Sequence, residues 1–420
     1  MKNPFFCLTL VLFLSGVSFS QWSQTSSTGT TQTLRTVSVV SDNVVWVGAN
    51  GGVVLRSTNG GTNWQSVGGG VIGTDVVFNI WGVDAQFALC TTSPTSGTFV
   101  YRTTNGGTLW TQVFSQTGGF INAIWMTSNS NGFMMGDPVG ARWSLWRTTN
   151  GGVNWDSTGL YLAQVGTEAG WNNGMMILGS NIWVSTNAAR IYYSSSNGTS
   201  WVTQAIPSAA TGFGQVWFNS LSLGLANWNT TPVYTTNGGT NWTNGTVPAG
   251  TGNIAGIIGA GTTFWAVRNT ATGVYKSTNN GVNWTTDYTA PSAVWHIGLS
   301  RTGIAAFAVG ATGNVAKNPT LLTGITPIGG EVPRNYVLGQ NYPNPFNPAT
   351  TIKFSIPNAS VVNIKVYDML GNEVMEIVNR YMNAGNYSTT VDASGLASGV
   401  YFYTIKAGEF TDSRRMTLVK

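Results

Sequence analysis

Charge is the scarcest feature of this 420-residue chain: Asp, Glu, Lys and Arg together make up 8% of it, against about 25% in an ordinary globular domain. The net charge of +5 is spread thinly, with no Lys/Arg run, which excludes a nucleic-acid footprint. Histidine occurs once, as His296, and cysteine twice, as Cys7 and Cys90. No His/Cys cluster can form, and no Asp-x-Asp-x-Asp-Gly loop is present, so neither a metal nor any other cofactor is expected. Nor does any run of about 18 apolar residues offer a transmembrane helix.

Glycine and tryptophan are abundant instead, at 54 and 18 residues. Disordered chains lack aromatics; this mixture suits many short strands joined by tight turns. Residues 1–20 read as a signal peptide: Met1-Lys2-Asn3, an apolar stretch over 5–14, then Ser18-Phe19-Ser20 as a small-x-small cleavage pattern. Cys7 leaves with it, so Cys90 alone remains and no internal disulfide can form. Cys90 lies in Phe87-Ala88-Leu89-Cys90, where a buried, inert thiol is expected.

One repeat dominates the stretch from Trp22 to Trp284. Arg56-Ser-Thr-Asn-Gly-Gly-Thr-Asn-Trp64 returns in variant form ending at Trp110, Trp155, Trp201, Trp242 and Trp284. Trp22 precedes the series by one period, and the average spacing is about 44 residues. Each period holds three alternating apolar runs before its Trp strand; in the first these are 36–40, 44–49 and 53–57, followed by 63–67. Four short strands per 40–45 residues read as a propeller blade, with Asn-Gly supplying a hairpin turn between the third and fourth. After Trp284 three further strands (293–299, 304–310, 314–317) lack a fourth. Gln21-Trp22-Ser23-Gln24 can supply it, closing a ring of seven blades.

The repeated Ser/Thr-x-Asn-Gly-Gly-x-x-Trp resembles the Asp-box of bacterial neuraminidase repeats, with Asn in place of Asp. The period is similar to propellers of the photosystem II stability/assembly-factor type. The resemblance spans about 21–320 and implies a fold, since the Asp-box is a turn that ties a blade together.

Composition shifts after a Gly/Pro-bearing linker at 321–334. No Trp follows Trp295 and charges become denser. Strands at 351–356, 361–367, 373–378, 385–391, 399–406 and 410–418 suggest an Ig-like sandwich. Asn341-Tyr-Pro-Asn-Pro-Phe-Asn-Pro348, Val366-Tyr-Asp-Met-Leu-Gly-Asn-Glu-Val374, Leu396-Ala-Ser-Gly-Val-Tyr-Phe-Tyr403 and Arg415-Met-Thr-Leu-Val-Lys420 resemble the type A C-terminal sorting domain of the type IX secretion system. The resemblance covers 335–420. It implies passage through the periplasm to the outer-membrane surface or the medium, with the secretion machinery as partner.

Enzymatic chemistry has little material. A Ser-His-Asp triad would need His296, which Val294-Trp-His-Ile297 places on the innermost strand of blade seven as a core or channel residue. Gly68-Gly-Gly-Val-Ile-Gly73 matches a dinucleotide-loop string, but a strand-like run follows it where a helix is needed. A sialidase-like glycoside hydrolase, the alternative reading, needs a Tyr–Glu pair or two carboxylates. The acids at 21–320 are Asp42, Asp75, Asp84, Asp137, Asp156, Glu168 and Asp287. Arg56, Arg102 and Arg147 recur at one repeat position, which marks a scaffold position and not an arginine cluster.

The leading reading is a non-catalytic binding or scaffold module for glycan or protein. Asp137, Arg142, Trp143 and Glu168 are the candidate ligand residues: they break the repeat, and strand direction puts all four on one face in adjacent blades. Met134-Met-Gly-Asp-Pro and Val165-Gly-Thr-Glu around them resemble a signature of neuraminidase-repeat propellers, with Thr167 in place of a Gly. Their alternative role is an ion pair holding a long loop. Trp81, Trp125, Trp217 and Trp295, each after Ile or Val in a first strand, offer either packing between blades or a stacking surface for sugars.

Overall fold

The computed structural model describes residues 22–207, 212, 214–319, 325–327, 333–358, 360–382 and 384–420, without the side chains of 325–327, 380 and 381. The signal peptide read at 1–20, Gln21 and most of the stretch read as a linker lie outside the described residues.

Alternating apolar runs and tight turns produce an all-β chain. Among the described residues, 22–318 form seven antiparallel sheets that follow one another along the sequence. The first comprises Leu34–Val39, Val45–Ala49, Val54–Ser57 and Gln65–Ser66. Each sheet is too narrow to bury its own apolar side chains. They are buried between sheets instead, in seven clusters, one between each sheet and the next. One cluster joins Val37, Val47 and Leu55 of the first sheet to Phe307 and Val309 of the seventh, so the ring of sheets is closed. This is a β-propeller.

Closure uses both ends of the described propeller chain. The seventh sheet is Val294–Leu299, Ala306–Gly310 and Val315–Asn318, and its fourth strand is Ser23–Gln24, with Ser23 opposite Lys317. Trp22 is buried beside it. Its Nε1 donates to Asp287 Oδ2 at 2.8 Å, and Trp265 Nε1 donates to the same oxygen at 3.0 Å.

The repeated turn is tied by side chains and is not a two-residue hairpin. Ser57 Oγ accepts from Gly61 N at 2.9 Å, and Asn59 Oδ1 accepts from Asn63 N at 2.8 Å. The first of these bonds recurs in all six repeats, for example at Thr103 and at Ser277, and the second has its counterparts at Asn105 and Asn279. In the fourth repeat Ser196 Oγ replaces the Asn oxygen. Asn or Ser can stand in place of Asp here because only an acceptor oxygen is needed. The first Gly of the pair has a left-handed φ, 67° at Gly60, and Asn197 and Asn280 take that place in two repeats at 52° and 63°.

The third sheet departs from the expected four strands. It has three, Ile121–Met126, Gly132–Val139 and Arg142–Thr148. After Trp155 the chain makes only single bridges, Arg147 to Asp156 and Arg142 to Ala163. Asp156 Oδ1 accepts from Thr158 N at 2.9 Å and turns the chain away. Leu160 and Leu162 then fill the gap toward the fourth sheet.

The C-terminal domain is a sandwich of two four-stranded sheets. One orders Ile325–Pro327, Gly385–Asp392, Ala349–Ile356 and Val337–Leu338. The other orders Glu373–Met382, Ser360–Tyr367, Gly399–Ala407 and Phe410–Leu418. Part of the stretch read as linker, 325–327, is thus an edge strand. Period-two alternation sends Ile352, Phe354, Ile356, Val362, Ile364, Val366, Tyr403 and Ile405 into one core.

Candidate binding site of the propeller

Six of the seven first strands slip register near their starts, as between Leu34 and Thr36 and between Val294 and His296. Bulges of this kind re-aim side chains at the rim of a ring. The largest slip is in the fourth sheet, between Gly170 and Met175. There Asn173 takes φ 61° and its Oδ1 accepts from Thr36 Oγ1 of the first sheet at 3.3 Å. The two sheets are not neighbours, so Asn173 bridges the central channel. Gln215 Nε2 donates to the adjacent Asn172 O at 2.7 Å and steadies the bridge.

Beyond this bridge the first strands enclose a cavity of about 270 Å³. Its walls carry Trp81, Trp125 and Trp217, with Ile124, Met176 and Ile297. Trp81 and Trp125 pack at 4.6 Å between ring centroids, and Trp217 Nε1 donates to Asn219 Oδ1 at 2.9 Å. The cavity reaches the turns that follow the first strands, where Thr127, Ser128, Asn129, Asn219 and Ser300 supply hydroxyl and amide groups. Among the described residues that line it there is no Asp or Glu. Three of the four first-strand tryptophans therefore face the cavity. Trp295 does not; Arg35 lies over its ring at 4.1 Å.

Arg301 flanks this end. From the seventh sheet it passes the first and reaches the second, donating to Gly82 O and to Val83 O (2.8 Å). Its guanidinium lies 4.9 Å from the Trp81 ring, and burial pulls its pKa down to about 10. Ser38, on the cavity wall, accepts through its Oγ from Gly82 N at 3.0 Å. His296 faces the cavity near Asn173. Its Nδ1 accepts from Val37 N at 3.1 Å, and desolvation pulls its pKa down to about 4, leaving a neutral imidazole. Cys90 is fully buried, and burial pushes its thiol well above the ordinary value.

The four residues singled out in the sequence do converge on the junction of the third and fourth sheets, but largely inside it. Trp143 is fully buried and Glu168 is 2% exposed. Glu168 Oε1 accepts from Trp143 Nε1 (3.1 Å), Tyr192 OH (2.6 Å) and Val165 N (2.9 Å), and Oε2 pairs with Arg190 at 3.4 Å. Asp137 is half-buried; its Oδ1 accepts from Asn122 Nδ2 and Gly170 N, both at 2.7 Å, and desolvation raises its pKa. Arg142 donates to Leu160 O at 3.3 Å and lies 5.9 Å from the Tyr161 ring. Asp137 thus fixes Gly170, at the start of the strand that carries the Asn173 bridge, and Glu168 fixes the link that leads to it.

Several other charged groups of the propeller are engaged in the fold as well. Asp84 Oδ1 accepts from Gln86 N and Phe87 N, and Asp42 Oδ1 accepts from Thr302 Oγ1. Arg56, Arg102 and Arg147 donate to the separate carbonyls of Ala85, Gly151 and Thr158. They do not converge on one site. Among the described residues no three His, Cys, Asp or Glu gather as metal donors, and no helix is long and apolar enough to cross a membrane.

In the C-terminal domain the motif residues are structural as well as legible. Tyr403 OH donates to Gly339 O at 2.7 Å and accepts from Asn341 N at 2.8 Å. Asn341 Nδ2 donates to Thr350 Oγ1 and to Pro343 O, both at 3.0 Å. The family model described as the secretion system C-terminal sorting domain matches residues 340–419.

These residues are a secretion system C-terminal sorting domain.

The sorting domain is of the type IX kind that its motifs resemble, and it marks the chain for export to the cell surface or the medium. Solved structures similar to the propeller include YCF48 bound to D1 peptide, with TM-score 0.57 and 15% identity, covering 72% of this chain and 97% of that one. YCF48 from Cyanidioschyzon merolae gives TM-score 0.54 and 15% identity, covering 70% and 98%. PorZ, a surface component of the type-IX secretion system of Porphyromonas gingivalis, gives TM-score 0.44 and 12% identity, covering 90% and 58%. At these identities the YCF48 likeness is one of fold. No curated protein matches the chain in sequence.

Proposed function

We propose that the propeller is a non-catalytic binding module which the sorting domain delivers outside the cell, and that it takes a glycan or a protein segment at the cavity end formed by Thr127–Asn129, Asn219 and Ser300. One observation carries this reading. A cavity walled by three tryptophans and rimmed by hydroxyls and amides has the apolar-plus-few-polar character of a ligand site, yet the described residues lining it hold no carboxylate. Most glycosidases need two, and the single histidine nearby is held neutral. A propeller of the same fold has been solved with a peptide bound, which supports protein as one ligand class. In this reading Asp137 and Glu168 serve the site by positioning the Asn173 bridge, and Arg142 and Trp143 hold the same junction.

The test is a glycan and peptide array probed with the full-length protein, run beside a panel of fluorogenic glycosides. Binding that is lost in Trp125→Ala, with no glycoside turned over, is the expected result. Turnover of a glycoside by the full-length protein, lost in a variant that still melts like the parent, would instead establish the hydrolase.

A further inference from the structure

We propose that one end of the sorting domain is the surface read by the export machinery, and that the partner offers an apolar pocket to the Met369–Leu370 turn. The proposal rests on the sorting reading above and assigns the residues that do the work.

Strand direction makes the case. Ala349–Ile356, Glu373–Met382 and Gly399–Ala407 begin at this end, while Ser360–Tyr367, Gly385–Asp392 and Phe410–Leu418 finish there. The four motif runs at 341–348, 366–374, 396–403 and 415–420 are distant in sequence, yet they meet here. The end is sewn together. Phe346 N donates to Thr417 O at 3.0 Å, Val419 N donates to Phe346 O at 2.9 Å, and Lys420 Nζ reaches Ser394 O at 2.6 Å.

Exposure points to a partner. A lone exposed apolar residue is ordinary. Here the three most exposed large apolar side chains of the described residues gather at one end: Leu370 at 88%, Tyr342 at 81% and Met369 at 71%. The turn that displays two of them is rigid. Asp368 Oδ1 accepts from Leu370 N (2.8 Å) and Asn372 N (2.9 Å), Asn372 Nδ2 donates to Asp368 Oδ2 (2.9 Å), and Gly371 takes φ 83°. A fixed turn that lifts two aliphatic side chains into water adds nothing to the core. It is preorganised to seat them in a pocket, where apolar burial favours binding and the fixed turn lowers the ordering cost.

The test compares two full-length variants in the native cell. One is Met369→Ser with Leu370→Ser; the other is Val337→Ser, a 48% exposed apolar residue paired with Ser355 at the opposite end. Fractionation should show at least a tenfold fall in surface and medium protein for the turn variant, with accumulation in the periplasm and an unchanged melting temperature. Val337→Ser should be exported like the parent. If the double variant melts early, Leu370→Asn alone is read in its place. A folded turn variant exported at the parental level overturns the proposal, as does an equal loss with Val337→Ser. A chain lacking 335–420 separates the two readings: its retention beside normal export of the turn variant removes only this proposal, whereas its normal export removes the sorting reading itself.

Discussion

Asn173 and Thr36 stand on inner strands of non-adjacent sheets and are hydrogen-bonded across the channel at 3.3 Å. The bridge needs both a polar side chain and a left-handed backbone, since Asn173 sits at φ 61°. Asn173→Gly keeps the backbone and loses the bond, so it should cost about 1 kcal/mol. Asn173→Val loses both and should cost more, because a β-branched residue is strained at that φ. Chemical denaturation of the two variants checks the order.

The Glu168 carboxylate is buried against Trp143, Tyr192 and Arg190. Removing one partner of a buried pair typically costs about 3–5 kcal/mol, and the part-exposed Arg190 puts Glu168→Gln at the lower end. Its melting temperature should fall by several degrees, while ligand affinity of the folded fraction stays at the parental value. Lost affinity in a variant that melts normally would return Glu168 to direct ligand contact.

The same junction shows how far the sequence could be read. The Ser/Thr-x-Asn turns, the 44-residue period and the N-terminal closing strand were legible because each repeats or completes a pattern. So were the alternating strands of the sandwich. Asp137, Arg142, Trp143 and Glu168 were legible as departures from the repeat, and strand direction placed them together. Direction tells nothing of depth, however, and Trp143 and Glu168 proved to be interior. Asn173 and Arg301 act across the ring, joining sheets far apart in sequence, and neither carries a local pattern. The third sheet lost its expected fourth strand to an Asp156 turn and two leucines that look like ordinary strand residues.

Ring closure gives a third expectation. Asp287 Oδ2 accepts from the indoles of both Trp22 and Trp265. Trp22→Ala should cost about 3–5 kcal/mol by leaving a cavity, and Asp287→Leu should strand two indole N–H groups at about 1–3 kcal/mol each. The double variant should cost less than the sum, since both remove one bond. Deleting 21–28 takes away the whole strand and should cause aggregation or early melting.

His296 supplies a pH dependence. Its pKa is about 4 in the fold, against about 6.5 when unfolded. Between these values the unfolded chain binds the extra proton, so stability rises with pH through this window and falls as pH drops from 6.5 toward 4. The full effect is on the order of 3 kcal/mol. His296→Asn keeps an acceptor without the titration, and its denaturation midpoint should vary less than the parent's between pH 7 and pH 4.5.

Export of a self-contained propeller by its sorting domain is read out by fractionating cells that express the chain without 335–420. The truncated protein should be confined to the periplasm, with the propeller folded and melting as it does in the full chain. Truncated protein on the surface or in the medium at the parental level would contradict the claim.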